Sequence, residues 1–142
     1  AIIILGDNMK NRGFTLVEIL AVITLIGVLA LITIPTIDAV IKSTREKGYE
    51  NQKEVILSAA KDYGASNMME LPTVDGDYVY ITLGDLKLGG FIEVDVINPI
   101  NEMCISNDTV IVITRKNNNY TYKFQDENNI RFTESCEVDE IE

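Results

Sequence analysis

The chain has 142 residues, a net charge of −10, no His and no Trp, with 46% hydrophobic and 24% charged residues. That length holds one compact domain, or a small domain plus an anchor, and the composition is too apolar for a disordered acidic chain. Without His there is no His-based triad or His general base, two Cys do not make a zinc site alone, and a body this acidic is poorly suited to hold nucleic acid on its bulk surface.

The charge is unevenly spread. Residues 1–48 hold five basic and four acidic residues, net +1, whereas residues 49–142 hold seven basic and eighteen acidic, net −11. The first third also contains residues 14–34, FTLVEILAVITLIGVLALITI, which are 21 residues carrying one charge, Glu18. At ~1.5 Å per residue this block spans about 30 Å as a helix, the thickness of a bilayer core. A secretory signal has a shorter apolar region with a small-x-small cut after it, and no such site follows before Asp38. A buried core helix in so short a chain keeps a polar face. The block therefore reads as a membrane anchor, and Lys10 and Arg12 before it place the N-terminus on the cytoplasmic side. Met9 followed by Lys-Asn-Arg reads as a natural start. Residues 1–8 are accordingly read as an upstream extension and left out of the fold.

Glu18 lies in the second turn of this block. A carboxylate costs roughly 2.5–3.5 kcal/mol near a bilayer centre and less near its surface. Either Glu18 stays hydrated at the interface, or it pairs with a cation of a neighbouring chain. A cut after Gly13 would leave a free α-amine on Phe14, four residues before Glu18. The amine of one chain is then a partner for Glu18 of another.

Lys10-Asn-Arg-Gly13-Phe14-Thr-Leu-Val-Glu18 resembles the processing site of type IV prepilins and pseudopilins. That family's pattern is a short basic leader, Gly, then Phe-Thr-Leu-Xaa-Glu opening a long apolar helix. The resemblance covers residues 10–63, and beyond them it is one of architecture. It implies that a membrane-embedded prepilin peptidase cuts between Gly13 and Phe14 and that Phe14 is N-methylated. It implies that Glu18 registers each incoming subunit, that an assembly ATPase and a platform protein drive polymerisation, and that Pro35 is a helix-kinking proline. Glycine at the cut offers no Cβ to obstruct the peptidase.

After Pro35 the pattern turns amphipathic. Ile41, Gly48, Gln52, Val55, Ile56, Ala59 and Tyr63 fall at helical spacing, with Glu50, Lys53, Glu54, Lys61 and Asp62 opposite. One helix over residues 14–65 is expected, ~78 Å long at 1.5 Å per residue. Pro35 removes a backbone donor and predicts a kink over residues 31–35, and Gly27 weakens the helix interior. Lys42, Arg45 and Lys47 form a basic cluster read as a solvated face, with lipid headgroups or acidic neighbours as the alternative.

Gly64-Ala-Ser-Asn67 ends the helix, and residues 71–77 are a turn-rich connection. Residues 78–82 (YVYIT) predict a short extended piece. Thr82-Leu-Gly-Asp85 has capping-box spacing and Gly89-Gly90 a stop signal, so a short helix is expected over residues 83–88. Residues 91–96 are a strand candidate. Residues 109–115 (TVIVITR) and 120–125 (YTYKFQ), joined through Lys116-Asn-Asn-Asn119, predict a β-hairpin. Tyr120, Tyr122 and Phe124 then share one face, expected to pack on Val55, Ala59 and Tyr63. Residues 130–133 are expected to add an edge strand. Asp75-Gly-Asp77 and Asp126-Glu-Asn-Asn129 are read as solvated turns rather than calcium loops.

Many pilins close their C-terminal region with a disulfide, and the resemblance extends this expectation to Cys104 and Cys136, two unpaired thiols being the alternative. The expected fold class is α+β and pilin-like, a long N-terminal helix packed by its C-terminal half on a small antiparallel sheet. The expected divisions are a leader over 1–13, a transmembrane and filament-core helix over 14–37, its amphipathic continuation over 38–66, and a head over 67–142. The expected function is a non-enzymatic structural subunit of a pilus or pseudopilus without cofactor or metal. Its partners are copies of itself, the peptidase, the assembly machinery and the cytoplasmic membrane, and it reaches the cell surface as a filament. The alternative is a solitary anchored binding or adhesion protein.

Overall fold

The structure is a computed structural model, and it describes Gly13 and residues 15–139. Residues 1–12, Phe14 and residues 140–142 lie outside the described residues. The expectations that fall on Lys10, Arg12 and Phe14 lie there too. The elements in chain order are helix α1 (Leu16–Ser66), strand β1 (Tyr78–Thr82), helix α2 (Leu83–Leu88), and strands β2 (Cys104–Ile105), β3 (Val110–Lys116), β4 (Asn119–Phe124) and β5 (Phe132–Thr133). Short 3-10 turns stand at Met68–Glu70 and Glu127–Asn129. The fold is α+β, a long N-terminal apolar helix followed by a small antiparallel sheet. The chain divides into two units whose boundary falls inside α1, between Ile41 and Lys42.

In the first unit α1 buries almost nothing. Leu16 is 81% exposed and Leu31 77%. The hydroxyls of Thr24 and Thr36 donate back to the carbonyls of Ala21 and Ile32 at 2.8 and 3.2 Å. Back-bonding of this kind satisfies a hydroxyl inside its own helix, so neither of these hydroxyls is left as an open donor. α1 is assigned as one helix through Pro35.

The second unit builds its core between α1 and a three-stranded sheet of order β1-β3-β4. Ile56, Ala59 and Ala60 of α1 join Ile81, Leu83, Leu86, Ile105, Ile111 and Ile113 in one buried cluster. The spacing 56, 59, 60, 63 is that of one helix face. The expected stripe was placed slightly off: Val55 is 50% exposed, whereas Lys53 is buried. The physical reason is that Lys53 covers the Tyr49 ring, its Nζ 5.1 Å from the centroid, and reaches past it to Glu127 at 2.8 Å and Glu50 at 2.8 Å. A lysine stem packs well on an apolar face when its head finds acids at the rim.

The hairpin forms as its alternation predicts. Ile111 and Ile113 of β3 are buried, and opposite them lie Phe124 and Tyr122 of β4. Asn117 and Asn118 make the turn with φ of 51° and 63°. Asparagine tolerates this left-handed region, and two such residues match the twist of a two-residue hairpin loop. β1 lies on the other side of β3, with Ile81 opposite Ile111.

Two expected strands differ. Residues 91–96 form no strand, because Phe91 closes α2 instead. Its N–H donates to the Leu86 carbonyl at 2.9 Å and the Gly90 N–H to Lys87 at 3.1 Å, with Gly90 at φ 75°. This is the glycine-dependent helix stop, with an apolar residue just beyond it. The Phe91 ring then meets Tyr63 edge-on at 5.5 Å. At its end the Val96 carbonyl accepts from the Ile105 N–H at 2.9 Å, and an isolated bridge joins Ile97 to Cys104. The last strand, β5, does not extend the hairpin. It pairs with β2 in a separate two-stranded sheet, Cys104 opposite Thr133 and Ile105 opposite Phe132. The 3-10 turn at Glu127–Asn129, held to α1 through the Glu127–Lys53 ion pair, lies between β4 and β5 and redirects the chain.

Gly64 shows how closely the hairpin meets α1. A Cβ there would collide with Tyr122 Oη and stand 3.2 Å from its Cζ. Gly64→Ala is therefore expected to destabilise the second unit by about 1–3 kcal/mol, the usual scale of overpacking. Denaturant unfolding of the full chain in detergent checks this. Adding Tyr122→Phe should recover part of the loss, because the hydroxyl is what the methyl meets first.

Candidate assembly site

The described part of the N-terminal motif is Gly13, Thr15 and the first turns of α1. Gly13 is exposed and adopts φ 76°, a backbone conformation that side chains with a Cβ rarely take. Thr15 and Glu18 then cap the helix reciprocally. The Thr15 N–H donates to Glu18 Oε2 at 2.9 Å, the Thr15 hydroxyl to the same oxygen at 3.3 Å, and the Glu18 N–H to Thr15 Oγ1 at 3.3 Å. This is a capping box, T-x-x-E. Its signal was present in Thr15-Leu-Val-Glu18, and sequence reasoning missed it by looking for the partner of Glu18 at the interface or in a neighbouring chain. A carboxylate at a helix N-terminus also meets the positive end of the helix dipole.

The rest of the site is apolar surface. α1 contains an 18-residue window of mean hydropathy 2.7, none of it buried by the protein. That helix is long and apolar enough to cross a membrane. It presents Val17, Leu20, Leu25 and Ile32 to the surroundings, each more than half exposed.

The second unit is tied at its C-terminal end. Cys104 and Cys136 are joined by a disulfide with Cα atoms 5.2 Å apart, 32 residues apart in sequence. Of the two turns considered for calcium, Asp75 accepts from Arg115 Nε at 3.2 Å and from the Asn118 N–H at 3.4 Å. Glu127 is occupied by Lys53. Both acids clamp turns. Among the described residues no group of three or more Cys, Asp and Glu converges to hold a metal ion. Burial would lower the Lys53 pKa, but its hydrogen bonds to Glu127 and Glu50 outweigh this and raise it. Tyr63 donates to Glu70, and that bond, with burial, pushes its pKa up to about 12. The rim of the unit is thus closed by its own acids.

Residues 8–34 match the family described as the prokaryotic N-terminal methylation motif. With that motif, an exposed apolar helix opening on Glu18 and a small antiparallel sheet, the chain is similar to type IV pilin-like proteins. It is also similar to "Competence protein ComGC" of Bacillus subtilis (strain 168), 29% identical over 91 residues, which cover 64% of this chain and 84% of that protein. No solved structure matches the chain significantly. Pilins and pseudopilins are structural proteins rather than enzymes, and they assemble into filaments.

Proposed function

We propose that this chain is a structural subunit of a pilus-like filament, cut between Gly13 and Phe14 by a prepilin peptidase and polymerised through α1. The observation that carries this reading is the placement of Glu18. A carboxylate opens a helix whose apolar window is wholly unburied. In a lone anchor such a charge only raises the cost of insertion. In a filament it has a task. Glu18 exchanges its bonds to Thr15 for the α-amine that cleavage creates on a neighbouring subunit. The apolar helices then exchange lipid for one another.

Before assembly the subunit spans the cytoplasmic membrane once, its N-terminus inside, as Lys10 and Arg12 favour. Afterwards the second unit lies on the surface of the filament. Pro35, which removes one backbone donor from α1, is the point at which the helix yields during packing. The similarity to a competence protein favours a competence pseudopilus over other filaments of the class.

The test is N-terminal processing. Gly13→Leu in cells with an active prepilin peptidase should retain the leader, so that most of the chain keeps the longer N-terminus by mass spectrometry. A Gly13→Leu chain processed as fully as wild type would remove the peptidase from the proposal.

A further inference from the structure

Lys87 has surroundings that filament assembly does not use. It lies on α2 and is only 7% exposed. Its Nζ donates to Asn107 Oδ1 at 2.7 Å and to the Cys136 carbonyl at 2.9 Å. Both acceptors are neutral. Among the described residues the ion pairs are made by Lys53 and Arg115. An ammonium buried against neutral acceptors is costly. Burial lowers the Lys87 pKa, and the charge of Asp95 only partly opposes it. Loss of the proton relieves the cost and leaves an amine, which is a nucleophile.

The group facing that amine is a carboxamide held from both sides. Asn107 Nδ2 donates to the Glu137 carbonyl at 2.7 Å, and the Asn107 backbone carbonyl accepts from Gly84 at 3.0 Å. The disulfide fixes Cys136, and with it the second acceptor of Lys87. The amine already touches Oδ1, so the adjacent Cγ lies one short shift away. Holding two reacting groups together in this way replaces an encounter by an internal step.

We propose that Lys87 and Asn107 become joined by an intramolecular isopeptide bond that the chain forms itself. Nζ attacks Cγ of Asn107. The Nζ–Cγ bond forms, the Cγ–Nδ2 bond breaks, and Nδ2 leaves as ammonia with a proton taken from Nζ. Nothing is oxidised or reduced and no co-reactant enters. The staple links α2 to the loop before β3, beside the Cys104–Cys136 disulfide. A unit with α2 fastened to the loop before β3, and its C-terminal segment fastened by the disulfide, resists unravelling under pull. The bond itself does not depend on the filament reading.

Mass spectrometry of the full chain, purified in detergent and reduced, tests it. The expected intact mass is one ammonia below that set by the sequence from its measured N-terminus. Tryptic digestion should give a branched peptide joining Lys87 to Asn107, with no cleavage after Lys87. A Lys87→Arg chain should show neither the mass loss nor the branch. A wild-type chain of full mass with linear peptides ending at Lys87 overturns the proposal. So does a lost ammonia without the branched peptide, because a cyclised asparagine loses the same mass.

Discussion

Glu18→Ala is expected to abolish filament formation while leaving the second unit folded. The substitution removes the carboxylate that accepts from Thr15 and, in the proposed filament, from a neighbouring subunit's amine. Within one chain the loss is small. A capping interaction contributes roughly 1 kcal/mol, and a helix already held in lipid tolerates its absence. Between chains the loss is larger. Removing one partner of a desolvated charge pair costs about 2–5 kcal/mol, because the other charge stays buried and unpaired. That is roughly 30-fold or more in the equilibrium for each subunit added. The measurement is sheared or pelleted filament against the membrane pool in cells expressing the variant. Glu18→Gln separates charge from shape. It keeps the cap acceptor but not the charge, and should fail nearly as badly as Ala. Normal filament yield from Glu18→Gln would leave Glu18 as a helix cap alone. A solitary anchored adhesin, by contrast, would tolerate both variants.

Removing the disulfide by Cys104→Ser with Cys136→Ser should cost the second unit roughly 3–4 kcal/mol by the chain-entropy estimate for a loop of this size. The physical setting makes the upper part of that range the expected result. β2 and β5 are two residues each, too short to hold together unaided. Ile105 is fully buried between them and the core. Without the bond the stretch around Cys136 is held to the rest of the unit by the Lys87 and Asn107 hydrogen bonds to Cys136 and Glu137. Chemical unfolding of the full chain in detergent gives the stability change. Hydrogen exchange should show the Ile105 and Ser106 amides, which donate to Val96 and Arg131, opening before those of β3. A change below ~0.5 kcal/mol would mean that the reduced chain keeps its order through packing, against the entropy estimate.

Much of this molecule is local in the chain, and local features were legible. The capping box Thr82–Asp85 and the glycine stop after α2 depend on residues a few positions apart. β3, β4 and their turn follow from alternation and two asparagines. The mismatches share one cause. Phe91 begins a β-like run, yet the helix stop at Gly90 directly before it claims it. Lys53 belongs with the charged residues by type, yet Tyr49 beneath it and Glu127, 74 residues on, draw it into the buried face. Residues 130–133 have strand character, but their partner was decided by where the Glu127–Asn129 turn aims the chain.

The sequence by itself determined the membrane-length apolar helix, the basic residues Lys10 and Arg12 before it, Glu18 inside it and the net acidity of the chain after residue 48. These are properties of composition and short spacing, and no distant contact alters them. Tertiary structure decided which face of α1 is buried, that β5 joins β2, and that Cys104 meets Cys136. It also decided that Lys87 faces Asn107. Each of these brings together groups far apart in the chain, through loops whose closure a periodic pattern does not encode.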